Sequence, residues 1–149
     1  MGKRVLAIAS AGGHWNQLML MRPGYGDMAV TYLTTLPGLA EEFKAAPAHV
    51  IRDCNRDEPL AAAHAALQIA WHLIRVRPHV VLSTGALPGV IALGLGRMIG
   101  ARTLWIDSVA NAEELSASGR LARRIAHKTL SQWPAVADAE GVGYAGAIL

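Results

Sequence analysis

The sequence predicts an α/β fold, a doubly wound parallel sheet with helices on both faces. Short apolar runs typical of buried strands alternate along the chain with longer segments of helical pattern. Glycine-rich segments follow two of these runs, at points where strands of such a sheet turn into helices. With 149 residues, 52% of them hydrophobic, the chain suits one packed domain and is short for two, so we expect residues 1–149 to form a single domain.

Three strands and three helices are predicted in the first half of the chain. The strands are the short apolar runs Arg4–Ala9, Met28–Leu33 and Ala48–Ile51. The first helix, Trp15–Met21, stops at a Pro-Gly pair, and the second, Pro37–Ala46, has proline in its first turn, where helices accept it. The third helix, Leu60–Arg77, is long and apolar, and the arginines in its last turn suit the helix dipole.

The second half continues the alternation. Strands are predicted at His79–Ser83, Arg102–Ile106 and Thr129–Trp133. A helix at Val90–Ile99 follows the first of these strands, and a basic helix at Gly119–His127 precedes the last. The sequence contains no internal repeat, low-complexity tract or linker.

A glycine-histidine loop, Ser10–His14, directly follows the first predicted strand. Backbone N–H groups of paired glycines at the start of a helix can face an anion, and a histidine adds a group that titrates or hydrogen-bonds near neutral pH. This combination suggests a site for a phosphate-bearing ligand. The alternative is a tight turn with an incidental histidine, and the loop lacks the G-x-G-x-x-G spacing of dinucleotide-binding folds.

Two further segments are expected at the same edge of the sheet, because ligands of such sheets bind where the carboxyl ends of the strands meet. Ser83–Gly89 is predicted as a second loop of small residues opening a helix, and turn chemistry alone would also explain it. Asp107-Ser108 follows the next strand. The carboxylate of Asp107 could be a helix N-cap, a hydrogen-bonding anchor or a base, and a structural or orienting role is favoured over catalysis.

Charge and composition exclude several classes of protein. Lys plus Arg exceed Asp plus Glu by 14 to 11, but the basic residues are dispersed and few aromatics lie among them, which disfavours a nucleic-acid surface. Histidines and the lone cysteine, Cys54, show no metal-ligand spacing, so neither metal nor cofactor is predicted. No apolar run is long enough to span a membrane, and the single cysteine fits a reducing compartment, so we expect a cytoplasmic protein.

A membrane surface remains a candidate partner for this mildly basic, apolar chain. Trp71 could lie in the headgroup region while Arg75 and Arg77 contact lipid phosphates. The alternative is an ordinary core helix, and both interpretations can hold on different faces of the same helix.

Five segments together resemble the asparagine-linked-glycosylation fourteen family, including its PssD-like bacterial members from exopolysaccharide and capsule synthesis. The resemblance covers almost the whole chain. The segments are Ala11–His14, Ser83–Gly85 with Pro88-Gly89, Trp105–Ala110, Leu115–Leu121 and Gln132–Pro134.

The resemblance implies one Rossmann-like domain, the N-terminal, acceptor-side half of a GT-B glycosyltransferase that is split into two polypeptides. A separate donor-binding subunit would then carry most of the site for a UDP-sugar. The acceptor would be an undecaprenyl-diphosphate-linked saccharide, and the reaction would be inverting and independent of metal. The chain also looks like the acceptor half of the single-chain N-acetylglucosaminyltransferase that makes lipid II.

Residue roles follow from the same resemblance. Gly12 and Gly13 would offer N–H groups to the acceptor diphosphate, and His14 would be either a base or a diphosphate contact. Further residues would line the same cleft: Thr84, Gly85, Gly89, Asp107 and Ser108.

The apolar C-terminal tail is predicted to dock on the partner subunit through Tyr144, Ile148 and Leu149, with an ordinary terminal strand as the alternative. Family members often carry glutamate where this chain has Asp107 and arginine where it has Asn111. Eukaryotic members also carry an N-terminal membrane anchor. No such apolar segment is seen in this sequence, so we expect its contact with the inner membrane to be peripheral. Two rival hypotheses are a non-catalytic scaffold that recruits a glycosyltransferase to the membrane and a free-standing nucleotide-binding protein.

Overall fold

A seven-stranded, wholly parallel sheet organises the computed structural model, which describes residues 2–148. The strands are β1 (Arg4–Ala9), β2 (Ala29–Thr34), β3 (Ala48–Val50), β4 (Val80–Gly85), β5 (Arg102–Ile106), β6 (Lys128–Ser131) and β7 (Gly143–Tyr144). The helices are α1 (Gly13–Leu20), α2 (Arg22–Tyr25), α3 (Leu39–Glu42), α4 (Pro59–Val76), α5 (Ala86–Met98), α6 (Ala117–Ala122) and α7 (Pro134–Glu140).

The strand order is β3-β2-β1-β4-β5-β6-β7, so the chain winds outward in both directions from the middle of the sheet. The order reverses between β1 and β4, which lie side by side and in register from Val5 opposite Val80 to Ile8 opposite Ser83. Ligands of such sheets bind in the crevice at this reversal. The predicted α/β fold with a doubly wound parallel sheet is confirmed.

Alternating side chains of the central strands supply two cores, one on each face. Leu6 and Ile8 of β1 are fully buried against α4, α5 and α6, together with Trp105 of β5. On the opposite face, Val5 and other residues of β1 pack under α1, where Trp15 lies edge-on to Tyr32 with ring centroids 6.0 Å apart. The sheet is therefore held rigidly between two helical layers, and the loops at its ends are supported from both sides.

Several predicted boundaries differ from the observed ones. The helix predicted at Pro37–Ala46 is reduced to α3, because Gly38 and Lys44 adopt left-handed backbone conformations on either side of it. The helix predicted at Gly119–His127 begins earlier, because the hydroxyl of Ser116 accepts a hydrogen bond from the N–H of Gly119 at 2.8 Å and caps α6. The short helices α2 and α7 were not predicted.

The prediction of a loop at Ser83–Gly89 is wrong. Strand β4 continues to Gly85, and α5 begins at the next residue without a connecting loop. The turn is made by Ala86, whose φ of 69° lies in the left-handed region that side chains disfavour. The last full strand also ends at Ser131, ahead of Trp133, because Pro134 starts α7.

Candidate functional site

The loop after β1 turns into α1 at the reversal of the strand order. Gly12 lies at the N-cap with a φ of 88°, a left-handed conformation that favours glycine, and no side chain caps the helix. Gly12 and Gly13 are both exposed, and no atom lies within 4 Å of the position a Cβ would take at either residue. The N–H groups of this first turn, at the positive end of the helix dipole, are therefore open to an incoming anion.

His14 is held against the end of β4. The hydroxyl of Thr84 donates a hydrogen bond to the carbonyl oxygen of His14 at 2.6 Å, and a Cβ at Gly85 would overlap the imidazole ring. Glycine at position 85 is thus required for this close approach. The ring is half-buried, and its Nδ1 is buried without a hydrogen-bond partner in the part of the chain that the structure describes.

Two buried hydroxyls beside the loop also have no hydrogen-bond partner within residues 2–148. They are the Oγ of Ser10, directly after β1, and the Oγ1 of Thr34, at the end of neighbouring β2. Buried polar atoms are seldom left unpaired in folded proteins. These two hydroxyl groups are therefore still able to hydrogen-bond to water or to a ligand at this edge of the sheet.

The structure brings Thr84 and Gly85 to the glycine-histidine loop, as the shared edge predicts, but both residues are buried. Gly89 lies deeper, inside α5, where a Cβ would overlap the hydroxyl of Ser83. The observed contacts of these three residues are with the loop and the core. Their contact with a ligand stays a prediction.

Asp107 is 2% exposed, and its carboxylate accepts three hydrogen bonds inside the protein. Its Oδ1 accepts from the indole N–H of Trp105 at 3.0 Å and from the hydroxyl of Ser116 at 2.7 Å, and its Oδ2 accepts from the N–H of Ser116 at 3.0 Å. Gly119 is required beside it, because a Cβ there would crowd the carboxylate. These contacts match the hydrogen-bonding anchor among the three roles considered for Asp107.

A buried amide network links α1 to the loops after β5 and β6. The side-chain N–H of Gln17 donates to the hydroxyl of Ser108 at 2.9 Å, and its oxygen accepts from the N–H of Val109 at 3.1 Å. Gln132 donates to the side-chain oxygen of Gln17 at 2.6 Å and to the carbonyl oxygen of Asp107 at 2.9 Å. Sequence reasoning missed both glutamines as site residues. The only signal was Gln132, which belongs to one of the segments that carry the family resemblance.

The C-terminal tail runs back to this network. Tyr144 lies in β7 and is 48% exposed, while the N–H of Ile148 donates to the side-chain oxygen of Gln132 at 3.0 Å. Leu149, the third residue of the predicted partner interface, lies outside the described residues.

Helix α4 has one buried and one exposed apolar face. Ala65, Ile69 and Leu73 are buried in the cores, in agreement with the core-helix interpretation. The opposite face carries an exposed apolar stripe, which we define by four residues: Leu60, Leu67, Trp71 and Ile74. Trp71 is 57% exposed, and the guanidinium of Arg75 lies over its ring, 5.4 Å from the centroid.

Arg77, the third predicted membrane contact, is exposed at the C-terminal end of α4. Within residues 2–148, no helix combines the length and the apolar character needed to cross a bilayer. In the same range, no three His, Cys, Asp or Glu side chains lie close enough together to hold a metal ion.

No protein-family model matches the chain. Its sequence is similar to that of the UDP-N-acetylglucosamine transferase subunit ALG14 of Eremothecium gossypii, with 26% identity over 91% of this chain and 75% of that protein. The chain is ALG14-like in sequence.

Solved structures show the same fold. MurG of Acinetobacter baumannii superposes with a TM-score of 0.73 at 16% identity, over 89% of this chain and 42% of MurG. The UDP-N-acetylglucosamine 2-epimerase of Rickettsia bellii superposes with a TM-score of 0.75 at 10% identity, over 99% of this chain and 46% of the epimerase. The chain thus spans less than half the length of these proteins, and its fold matches one half of such GT-B-like structures.

Proposed function

We propose that this chain is the acceptor-side subunit of a two-component glycosyltransferase. Its partner, a donor-binding subunit, supplies most of the site for a UDP-sugar, for which the similarity to ALG14 favours UDP-N-acetylglucosamine. The acceptor is an undecaprenyl-diphosphate-linked saccharide of bacterial exopolysaccharide or capsule synthesis. The chain contributes one wall of a cleft that the partner closes.

The open first turn of α1 is the observation that carries this proposal. Uncapped N–H groups at Gly12 and Gly13 lie at the positive end of a helix, without side chains that would block a diphosphate. His14 is fixed beside them by Thr84 and Gly85. Such a preorganised set of neutral dipoles binds an anion without moving when it arrives.

In the proposed reaction, a hydroxyl oxygen of the acceptor attacks the anomeric carbon of the donor. The bond from this carbon to the phosphate oxygen breaks, and its electron pair leaves with UDP. The proton of the attacking hydroxyl passes to a base. His14 either accepts this proton or holds the acceptor diphosphate.

The exposed apolar stripe of α4 is the proposed contact with the cytoplasmic face of the inner membrane. Trp71 and Ile74 would enter the headgroup region, while Arg75 and Arg77 would contact lipid phosphates. A peripheral contact of this kind brings the subunit to an acceptor that stays in the bilayer.

Reconstitution tests the split-enzyme proposal. The chain is combined with a candidate donor-binding subunit, and transfer from radiolabelled UDP-N-acetylglucosamine to undecaprenyl-diphosphate-linked saccharide is measured. We expect transfer from the pair and none from either subunit alone. Turnover by the isolated chain would refute the proposal.

Gly13→Asp tests the diphosphate site within the reconstituted pair. A carboxylate in the first turn interacts favourably with the positive end of the helix dipole, so folding stability should be unchanged or slightly raised. The same negative charge should repel a diphosphate. We expect KM for the lipid acceptor to rise at least about tenfold, the effect of one lost charge-assisted interaction. Gly24→Asp, at another open glycine, is the matched control and should leave KM unchanged.

His14→Ala completes the test. If the ring is a base, the rate of transfer should fall by about 100-fold and its pH profile should change. If the ring holds the diphosphate, the rate should fall by less and KM for the acceptor should rise. His49→Ala, an exposed imidazole on edge strand β3, is the control. If size-exclusion chromatography shows intact heterodimers and both Gly13→Asp and His14→Ala turn over normally, the chain is a scaffold instead.

A further inference from the structure

We propose that a cavity at the amino edge of the sheet, the edge opposite the glycine-histidine loop, binds a phosphoryl anion. The cavity has a volume of about 570 Å³ and lies between the ends of α4 and α5 and the starts of β1, β4 and β5. Among residues 2–148, four cationic side chains and one imidazole line it, and no acidic residue does: Lys3, Arg4, Arg77, Arg102 and His79. This inference goes beyond the proposed transferase and shares with it only Arg77 and Ile74 of the proposed membrane contact.

Most of these cations have hydrogen-bonding capacity to spare. Arg4 uses its Nε to donate to the carbonyl oxygens of Val76 and Arg77, at 3.2 Å and 2.9 Å. Within residues 2–148, the side chains of Lys3, Arg77 and Arg102 form neither a hydrogen bond nor an ion pair. Like charges that converge without a counterion repel one another, so an anion placed among them is stabilised.

His79 adds a neutral donor. Its Nδ1 accepts a hydrogen bond from the backbone N–H of Arg4 at 2.9 Å, so the proton of the neutral ring resides on Nε2. The imidazole is exposed and lines the cavity with its remaining edge. An N–H donor among guanidinium groups is well suited to a phosphoryl oxygen.

Cations often lie at helix C-terminal ends to offset the negative end of the helix dipole, but that role does not explain as many cations as this cavity holds. The C-terminal ends of α4 and α5 both face the cavity, and two helix ends carry together about one negative elementary charge, against four cationic side chains. The contact of Arg4 with the last carbonyls of α4 already satisfies that end.

Arg77 provides an independent indication. It ends α4 in a left-handed conformation with φ of 50° and ψ of 60°, a position where glycine or asparagine is usual and an arginine is strained. Residues in such conformations cluster at functional sites, but Lys44 and Ala86 also have positive φ here, so Arg77 supports the site only together with its position at the cavity. The backbone thus keeps a guanidinium at the cavity at an energetic cost.

The ligand class is a phosphate ester, and its source is either a phospholipid headgroup or a free metabolite. Ile74 and Ile99 line the cavity and are 63% and 52% exposed. Ile74 also belongs to the exposed apolar stripe of α4. Apolar side chains beside the cations would suit a headgroup at a bilayer surface, whereas a free phosphate ester would need the cations alone.

The test uses the full chain and two probes, glycerol 1-phosphate and vesicles of phosphatidylglycerol in phosphatidylcholine. Binding of the soluble probe is followed by the NMR resonances of the His79 ring, and vesicle binding by flotation. The variant is Arg77→Gln with Arg102→Gln, and Arg124→Gln, an exposed arginine after α6, is the matched control. Thermal unfolding verifies that all variants fold.

We expect the double variant to lose about 30-fold in affinity, since each cation near an anionic surface contributes about a factor of five, and the control to bind like the wild type. A loss with both probes or with glycerol 1-phosphate alone supports a site for any phosphate ester. A loss with vesicles alone supports a headgroup site if Arg102→Gln by itself also weakens vesicle binding, and it overturns the proposal if Arg77→Gln accounts for the whole loss, since Arg77 is part of the proposed membrane contact of α4. The proposal is overturned if neither probe distinguishes the double variant from wild type, or if Arg124→Gln loses as much. Because no transfer is measured, these outcomes do not depend on the proposed transfer reaction or on the diphosphate site at Gly12 and Gly13.

Discussion

The two edges of the same sheet are built in opposite ways. At the carboxyl edge, buried side chains such as Gln17, Asp107 and Gln132 hydrogen-bond to loops and to one another. At the amino edge, exposed cations such as Lys3 and Arg102 converge on an open cavity. The first arrangement fixes geometry, and the second concentrates charge.

The difference indicates two modes of recognition. Buried hydrogen bonds hold the loops of the carboxyl edge in place before a ligand arrives, which suits selective binding and chemistry. Exposed cations attract anions with little geometric demand, and their effect weakens as salt is added. Substitutions of the buried residues at the carboxyl edge should therefore reduce folding stability, whereas those at the amino edge should mostly leave it unchanged.

Gly89→Ala should give the largest effect. Its Cβ would overlap the hydroxyl of Ser83 and crowd Trp105, so we expect a loss of about 3 kcal/mol in the free energy of unfolding, measured by urea denaturation. Gly94→Ala on the same helix meets only Ile125, at 3.9 Å, and should be neutral or stabilise by up to about 1 kcal/mol. Equal effects of the two substitutions would show that the carboxyl edge is not tightly packed.

Asp107→Asn should follow, with a loss of about 2 kcal/mol. The amide removes the charge that accepts bonds from Ser116 and Trp105, and it turns an N–H group toward the N–H of Ser116. Urea denaturation gives the stability, and hydrogen exchange at Gly119 reports the cap of α6. A loss under about 0.5 kcal/mol, the range of ordinary surface substitutions, would contradict the anchoring role.

Arg4→Gln tests the amino edge and should cost about 1 kcal/mol, because its Nε satisfies two carbonyl oxygens at the end of α4. Arg102→Gln, whose side chain has no such bond in the described residues, should stay within about 0.5 kcal/mol of wild type. Thermal and urea unfolding compare the two. If Arg102→Gln were as destabilising as Arg4→Gln, the cavity cations would be structural.

The smallest expected effect is a pH dependence at His72, which stacks on His49 with ring centroids 4.5 Å apart. Burial, and then the nearby charges of His49 and Arg75, lower the pKa of His72. The unfolded chain then binds a proton more readily than the folded one, so stability falls as pH drops below about 6.5. His72→Gln should flatten this decline in urea titrations, and an unchanged slope would exclude His72 as its source.

Local patterns predicted six of the seven strands and the meeting of three segments at one edge, whereas a strand at β7 was only the alternative for the C-terminal tail. The apolar runs of β1, β4 and β5 are visible in the sequence, and a parallel sheet brings their carboxyl ends together. The direct passage from β4 into α5 was not predictable in this way. It depends on the packing of His14 on Gly85 and on an unfavourable conformation at Ala86, neither of which local pattern reveals.

The amide network was also beyond the reach of sequence pattern. Gln17 and Gln132 hydrogen-bond although 115 positions separate them, and either residue alone is an ordinary polar side chain. Their importance comes from burial, which the tertiary fold decides. The position of Asp107 at this edge was predicted from the sequence. Its role as a hydrogen-bonding anchor, one of three roles considered, could be recognised only from its observed contacts with Ser116.

The exposed apolar stripe runs along α4 for about 21 Å, from Leu60 at the carboxyl edge to Ile74 near the amino edge. Because this helix returns alongside the strands, a molecule resting on a bilayer through it would lie flat, with its strands along the lipid surface. The glycine-histidine loop joins β1 to α1 on the far side of the sheet, so it would then open sideways one layer above the headgroups. The proposed acceptor would have to raise its diphosphate and sugar out of the bilayer to reach it, while its prenyl chain stays among the neighbouring lipids.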